Sequence, residues 1–405
     1  MDNNWKKNTA FFVAGQTLSL FGTLLVQYAI LWHITLKTQS GTMMTVFTIA
    51  GFLPMFFISP FAGVWADRFN RKNIINIADG SIALVSLIVA VFLLFGFDPI
   101  SILLICTVVR SLGQGSQMPA VSALIPQIVP QENLTQVNGL LSSIQAATTL
   151  AAPMVSGALM TFAPLEILFF VDVVTAAVAI SILLFLVKVP AMERQDEGKK
   201  GVAYFNDLKE GFIYIKQHQY ILRLILLTSV FMICVSPSAL LTPLQVIRDF
   251  GSEVWRLTAI EITFSVGMMV GGVIIGAWGG FRNRIFTVAL AIALYGLGVI
   301  GLGLANNFFV YIGIFAGVGI AMPLFNTPIV VLFQSTVDGA FMGRVFSVFG
   351  MASSVLMPLG MLVFGPVSDT VAIDILLIGT GIVITLLSIP FVTSKTLREA
   401  GRSHS

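Results

Sequence analysis

Charge is scarce in this sequence. Of 405 residues only 10% are Asp, Glu, Lys or Arg, against roughly 25% in an ordinary soluble domain. Hydrophobic residues make up 57%, with a mean hydropathy of +0.94, which leaves too little polar surface to cover a water-soluble body of 43.7 kDa. Cysteine is nearly absent as well. Cys106 and Cys234 both sit inside apolar runs, so the chain offers neither a disulfide framework nor a metal-ligand spacing. Histidine occurs three times, with His33 and His218 isolated from one another. No acid pair stands at hydrolase spacing. The glycines of "GVGIAMPLFNTP" lack the Lys-Ser/Thr of a phosphate loop. These absences exclude an enzyme, a resident cofactor or metal, and nucleotide-driven work, and a net charge of +3 gives no footprint for nucleic acid.

Long apolar runs fill the space instead. Twelve are long enough to cross a bilayer as helices: 10–36, 43–66, 74–96, 99–121, 137–161 and 165–187, then 222–246, 257–280, 285–304, 307–332, 341–365 and 370–391. The first is too long for a cleavable signal and leads into further spans. The expected fold is therefore an all-α membrane protein of twelve helices. Residues 1–188 would form one six-helix bundle and 221–405 a second bundle with a cytoplasmic tail. Between them, 189–220 is the only long polar segment, and "YFNDLKEGFIYIK" has the pattern of an amphipathic helix lying at the membrane surface.

Basic residues give the orientation. The short outer loops and their margins hold Lys37, Arg248 and Arg256, and Arg110 falls inside a span. The other eighteen Lys and Arg lie at the tails, in the linker or at span ends on the opposite side, which predicts that both termini are cytoplasmic. An internal echo supports two related halves. "GQGSQMPAVSALIPQ" from Gly113 matches "GIAMPLFNTPIVVLFQ" from Gly319 in its small residues and Met-Pro, with Met118-Pro119 and Met322-Pro323 204 residues apart. Gly63-x-x-x-Asp67 is echoed by Gly276-x-x-x-Gly280, followed by Arg282 and Arg284. Two copies of a six-span unit imply a pseudosymmetric bundle with a central path.

The loop after the second span reads "GVWADRFNRK", with Gly63, Asp67, Arg68, Arg71 and Lys72 as G-x-x-x-D-R-x-x-R-K. In spacing and position this resembles the signature of the major facilitator superfamily, and the resemblance covers essentially the whole chain. It implies that the cluster latches the halves in one state and loosens in the other. Gly63 would admit a close helix neighbour. The basic residues also serve topology. At the echoed position Gly280 replaces the acid, which puts a symmetric second latch in doubt.

Arg110, Gly113 and Gly115 match the superfamily's fourth-span pattern R-x-x-G-x-G. The resemblance ties that arginine to proton movement. An arginine at such depth is costly unless paired or facing a polar path, and Gln16, Gln27, Tyr28 and Gln114 are the expected neighbours. In the fifth span, drug:proton antiporters carry G-x-x-x-G-P-x-x-G-G. Here Thr148, Ala152, Pro153, Ser156 and Gly157 keep the Pro and the last Gly and replace the others by small residues.

A proton carrier needs a carboxyl group, and burial raises a carboxyl's pKa toward neutrality. Glu261 is the first candidate and Asp172 the second, with Asp79 able to join either the proton path or the Asp67 network. Glu166 and Asp374 lie near outer ends, where they could simply be solvated. "AGQTLSLFGTLLVQYAI", "GFLPMFFISPFAGVWADR" and "MGRVFSVFG" resemble the macrolide-efflux branch of the superfamily, whose cargo is bulky and amphipathic. A broad apolar pocket would suit it, with Gln16, Gln27, Tyr28, Met232, Phe264, Met268, Phe325 and Asn326 as candidate walls. The function implied is proton-coupled export through the cytoplasmic membrane, with lipid, a small amphipathic substrate and protons as partners and a monomer sufficient. A lipid flippase or importer of the same fold, and a non-transporting receptor or scaffold, stay open as alternatives.

Overall fold

The structure is a computed structural model that describes residues 4–189, 200–339 and 341–401. The linker expected at 189–220 therefore lies partly outside the described residues. Among those described, the regular structure is helical throughout. Contacts divide the chain into two compact units, one of residues 1–37 and 46–198, the other of 38–45 and 199–405.

The first unit contains α1 (Asn4–Thr38), most of α2 (Gly41–Arg68), α3 (Arg71–Leu94), α4 (Ile100–Ile128), α5 (Leu134–Phe162) and α6 (Leu165–Ser181), which runs on through a wide π turn at Ile182–Leu186. In the second are α7 (Lys200–Gln217), α8 (Gln219–Leu240), α9 (Thr242–Phe250), α10 (Val254–Trp278), α11 (Arg284–Leu304), α12 (Phe308–Thr336), α13 (Met342–Val367), α14 (Ile373–Thr393) and a short α15 (Lys395–Ala400). Each expected span falls on this framework. The seventh is broken at Leu241, between Pro237 in α8 and Pro243 at the start of α9, because a proline cannot donate to the preceding turn.

Ten helices, counting α8 and α9 as one stretch, are long and apolar enough to cross a membrane among the described residues. Two further helices of similar length, α4 and α5 at 29 residues each, are not among the ten. Within each unit, glycine sets how near the helices come. In the second unit a Cβ on Gly267 or Gly319 would collide with the facing backbone of α12 or α10. Gly296 and Gly381 bring α11 and α14 together in the same way. In the first, Gly22 of α1 lies against Asp172 and Thr175 of α6, and Gly115 of α4 against Met55 and Ile58 of α2.

The described end of α7 packs on α13. Gly211 meets the Arg344 backbone, Glu210 pairs with Arg344 at 3.0 Å, and Tyr214 stacks on Phe341 with ring centres 4.5 Å apart. Phe212 and Ile213, between these contacts, are exposed.

Candidate functional site

The buried charges of the first unit gather where α1, α3, α4 and α6 meet. Arg110 of α4 is 3% exposed and Asp172 of α6 is 1% exposed, and Arg110 Nη1 donates to Asp172 Oδ2 at 2.5 Å. The same Nη1 donates to Ser86 Oγ of α3 at 2.6 Å, and Ser86 Oγ in turn donates to Asp172 Oδ2 at 2.7 Å. Arg110 Nη2 donates to the Thr23 carbonyl of α1 at 3.1 Å. Gly22, one residue before Thr23, is what lets α1 approach; any side chain there would overlap Asp172. Removing two charges from water is expensive, so such a pair persists only when its hydrogen bonds are well made. Here four helices supply them.

A second polar layer lies two turns along the same helices. Asp79 of α3 is buried, and its Oδ1 accepts from Ser19 Oγ of α1 at 2.7 Å and from Gln117 Nε2 of α4 at 2.8 Å. Asp79 and Ser86, like Arg110 and Gln117, are seven residues apart, about 10 Å along a helix. Neither layer has the membership expected from sequence. Arg110 meets Thr23, Ser86 and Asp172 rather than Gln16, Gln27, Tyr28 or Gln114, and Asp79 joins Ser19 and Gln117 rather than Asp67 and Arg71. Glu261 stands on α10 in the second unit, half-buried, so the candidate proton acids are divided between the units.

The fifth-span motif forms one buried stripe. Thr148, Ala152, Pro153, Ser156 and Gly157 are all buried, and Ser156 Oγ donates to the Leu25 carbonyl of α1 at 3.0 Å. The same face of α5, nearer the start of the helix, shows what sequence reading missed: Asn138, Ser142, Gln145 and Thr149, spaced four, three and four residues apart, are exposed in a row. Their spacing was visible in the sequence, and a polar stripe at helical period in a span signals water rather than lipid beside it.

In the signature loop, Asp67 is exposed and 3.9 Å from Arg71. Arg71 is held more closely by the carbonyls of Ala66 and Ala123, at 2.9 and 2.8 Å. Lys72 Nζ donates to the carbonyls of Leu184 and Val187, both at 2.9 Å, and Arg68 is exposed. A Cβ added to Gly63 would meet no heavy atom within 4 Å, so the close helix neighbour expected there is not found among the described residues.

The candidate cargo walls are scattered. Gln27, Met268 and Asn326 are exposed, and Gln16, Tyr28 and Phe264 half-buried. Phe325 and Met232 are corrections: both are buried, with Phe325 packed on Phe231 at 4.4 Å between ring centres, so neither is an open wall.

Two networks of the second unit were not anticipated. Gln245, 1% exposed, donates through Nε2 to Asp374 at 2.7 Å and accepts from the Tyr311 hydroxyl at 2.9 Å, so Asp374 is tied into the fold. Asp369, between α13 and α14, accepts from the N–H groups of Gly41 and Thr42 at 2.6 and 3.0 Å and from the hydroxyls of Thr42 and Ser40 at 2.6 and 2.9 Å. Arg248 joins at 3.3 Å. Partial burial opposes ionisation of Asp369, but the bonds from Thr42, Gly41 and Ser40 outweigh it and hold the carboxyl at about 2. Only tertiary structure could place residue 369 on the first turn of α2.

Known proteins carry the same organisation. Residues 9–361 match the family described as the Major Facilitator Superfamily. Macrolide efflux protein A of Streptococcus pyogenes is 28% identical over 96% of this chain and 97% of its own length, and its counterpart from Enterococcus faecalis is 28% identical over 80% and 100%. Among solved structures, a bacterial homologue of the iron transporter ferroportin in an inward-facing state superposes with a TM-score of 0.73 at 16% identity, covering 97% of this chain and 100% of that one. With its helical framework, its fourth-span arginine and a family match over most of its length, this chain belongs to the Major Facilitator Superfamily and is a multi-pass membrane transporter.

Proposed function

We propose that the protein is a proton-coupled exporter of amphipathic drug-like compounds, macrolides among them, working by alternating access. In this reading twelve helices cross the membrane as two pseudosymmetric six-helix bundles. The charge placement sets both termini in the cytoplasm, and one copy of the chain suffices. Relatives named for macrolide efflux support the cargo class. The loop cluster of Gly63, Asp67, Arg68, Arg71 and Lys72 serves the switch between states.

The observation that carries the reading is the buried Arg110–Asp172 pair. A proton arriving at Asp172 cancels its attraction for Arg110, and the guanidinium is left with Ser86 Oγ and the Thr23 carbonyl. That change alters the junction of α1, α3, α4 and α6 at one stroke, which is how protonation can bias a two-state element. Asp79 lies two turns nearer the cytoplasmic end of α3 and provides a second carboxyl on the same route; Glu261 is the candidate in the second unit. The exposed polar row on α5 gives protons and cargo a watered face, and cysteines placed at Asn138, Ser142, Gln145 and Thr149 are expected to react with a water-soluble thiol reagent. Membrane potential supplies about 2.3 kcal/mol per charge per 100 mV, enough to drive a modest cargo gradient.

The test is proton release on adding macrolides to the purified protein in weakly buffered detergent. Release should occur in the native chain and disappear in Asp172→Asn while macrolide binding persists. Loss in Glu261→Gln alone would move the coupling site to the second unit. Binding without release in every version refutes proton coupling. Uptake into inside-out against right-side-out vesicles separates export from import or lipid flipping, and binding without transport in either orientation marks a receptor.

A further inference from the structure

A cavity of about 690 Å³ opens at the end of the first unit that carries the N-terminus, bounded by α1, the turn after α4 and the end of α6. Its walls combine apolar and aromatic groups, with Trp5, Phe11 and Phe185 prominent, and the amides of Asn8, Gln127 and Gln131; Phe185 is 80% exposed. Among the described residues, the charged groups lining it are Lys7 and Lys188, and both are exposed. Lys188 is held in place: Asn8 Nδ2 donates to its carbonyl and Asn8 Oδ1 accepts from its N–H, each at 2.7 Å. Lys72 fastens the same segment through the carbonyls of Leu184 and Val187.

Beside the cavity is a second, shallow space of about 440 Å³, a groove along α6 from Phe185 and Leu186 back to Val178 and Ala177. The two share Phe185 and Leu186. The groove covers ten residues, about 13 Å at the helical rise, and includes the π turn, which widens the helix there. Its lining is apolar apart from Ser181. The chamber with its two lysines thus adjoins an apolar strip of the α6 surface.

We propose that this is a binding site for an anionic glycerophospholipid of the cytoplasmic leaflet, its phosphate between Lys7 and Lys188 and one acyl chain along α6. The groove decides against a small soluble anion, which would leave that surface unused. Two lysines, with no acid among the described lining residues, disfavour a cationic amphiphile, so the site is separate from the cargo path. The assignment to the inner leaflet rests on the cytoplasmic placement of the termini proposed above.

Brominated acyl chains quench nearby indoles, so Trp5 reports occupancy. The full-length protein would be placed in phosphatidylcholine nanodiscs doped with brominated phosphatidylglycerol or brominated phosphatidylcholine, the Trp5 signal being the part lost in Trp5→Phe. Phosphatidylglycerol is expected to quench at a mole fraction well below that of phosphatidylcholine. Lys7→Gln and Lys188→Gln should each weaken the preference about fivefold, the loss of one basic residue near an anionic surface, and the double variant should abolish it. Both side chains are exposed, so these variants fold, and equal thermal unfolding temperatures verify that. Asn8→Ala, which frees Lys188, should show an intermediate loss. Equal quenching by the two lipids, or a preference unchanged in the double variant, overturns the proposal. So does reversal by excess inorganic phosphate, which would identify a headgroup-only anion site. The readout needs neither cargo nor gradient, so it stands or falls independently of proton-coupled export.

Discussion

The two units place their charge differently. In the first, a complete ion pair is sealed among four helices, with a second carboxylate two turns away. The middle of the second is aromatic and neutral: Phe231 packs between Tyr295 and Phe325, and Ser238 shares a hydrogen bond with the Tyr295 hydroxyl at 3.0 Å. Its charged networks sit at helix ends instead, around Asp369 and Asp374. The sequence echo sharpens the contrast. At the 204-residue offset that superposes the Met-Pro pairs, Gly113 and Gly115 meet Gly317 and Gly319, but Arg110 meets Ile314. The two glycines recur at this offset, whereas the buried arginine does not. Under the proposed proton coupling, the first unit is the one that switches and the aromatic middle of the second the one that resists.

The largest effect should come from breaking the buried pair. Arg110→Leu leaves Asp172 uncompensated and is expected to cost about 3–5 kcal/mol, while Arg110→Leu with Asp172→Leu should recover most of that. Thermal unfolding of the single and double variants gives the coupling directly. Recovered stability without recovered transport would confirm that the pair is kept for switching.

Next in size is overpacking. Gly319→Ala drives a methyl into the Phe264 carbonyl and the Gly267 backbone, which cannot yield, and should destabilise by about 1–3 kcal/mol. Gly22→Ala falls in the same range but also displaces Asp172, so proton release should change in Gly22→Ala and not in Gly319→Ala. Equal effects on release would erase the contrast between the units.

Asp369 gives a smaller, pH-marked effect. Its folded carboxyl is held at about 2, below the unfolded value near 3.9. The stabilisation is therefore present above about pH 4 and lost as pH falls toward 2. After allowing for solvent screening, Asp369→Asn should cost about 1 kcal/mol at neutral pH, and the difference from the native chain should vanish near pH 2. The smallest change is expected for Asp67→Asn. An exposed carboxylate 3.9 Å from its partner contributes under about 0.5 kcal/mol, so any loss of transport in that variant reports on switching rather than folding.

Much of this was legible beforehand. Composition marked a membrane protein, and every apolar run became helix because a backbone in lipid must satisfy its own hydrogen bonds. The signature loop and Arg110 led to the family. Partner identities were harder to read. Gln16, Gln27 and Tyr28 looked like neighbours of Arg110 because they are polar and on α1, yet the α1 group that reaches it is the backbone carbonyl of Thr23, which no side-chain pattern displays. Ser86, small and common in spans, gave no signal. The α5 row did have one, in its spacing, but the degraded motif further along the same face drew attention from it.

By itself the sequence determined that this chain is helical, spans a membrane and carries the superfamily's marks, since those follow from local hydropathy and short spacings. Which acid Arg110 meets was decided by tertiary structure alone. Asp172 lies 62 residues away on another helix, and its meeting with Arg110 depends on how each helix is rotated about its axis. Those rotations are fixed by contacts such as Gly22 against α6, where the absence of a side chain allows the backbones to close and the charges to pair.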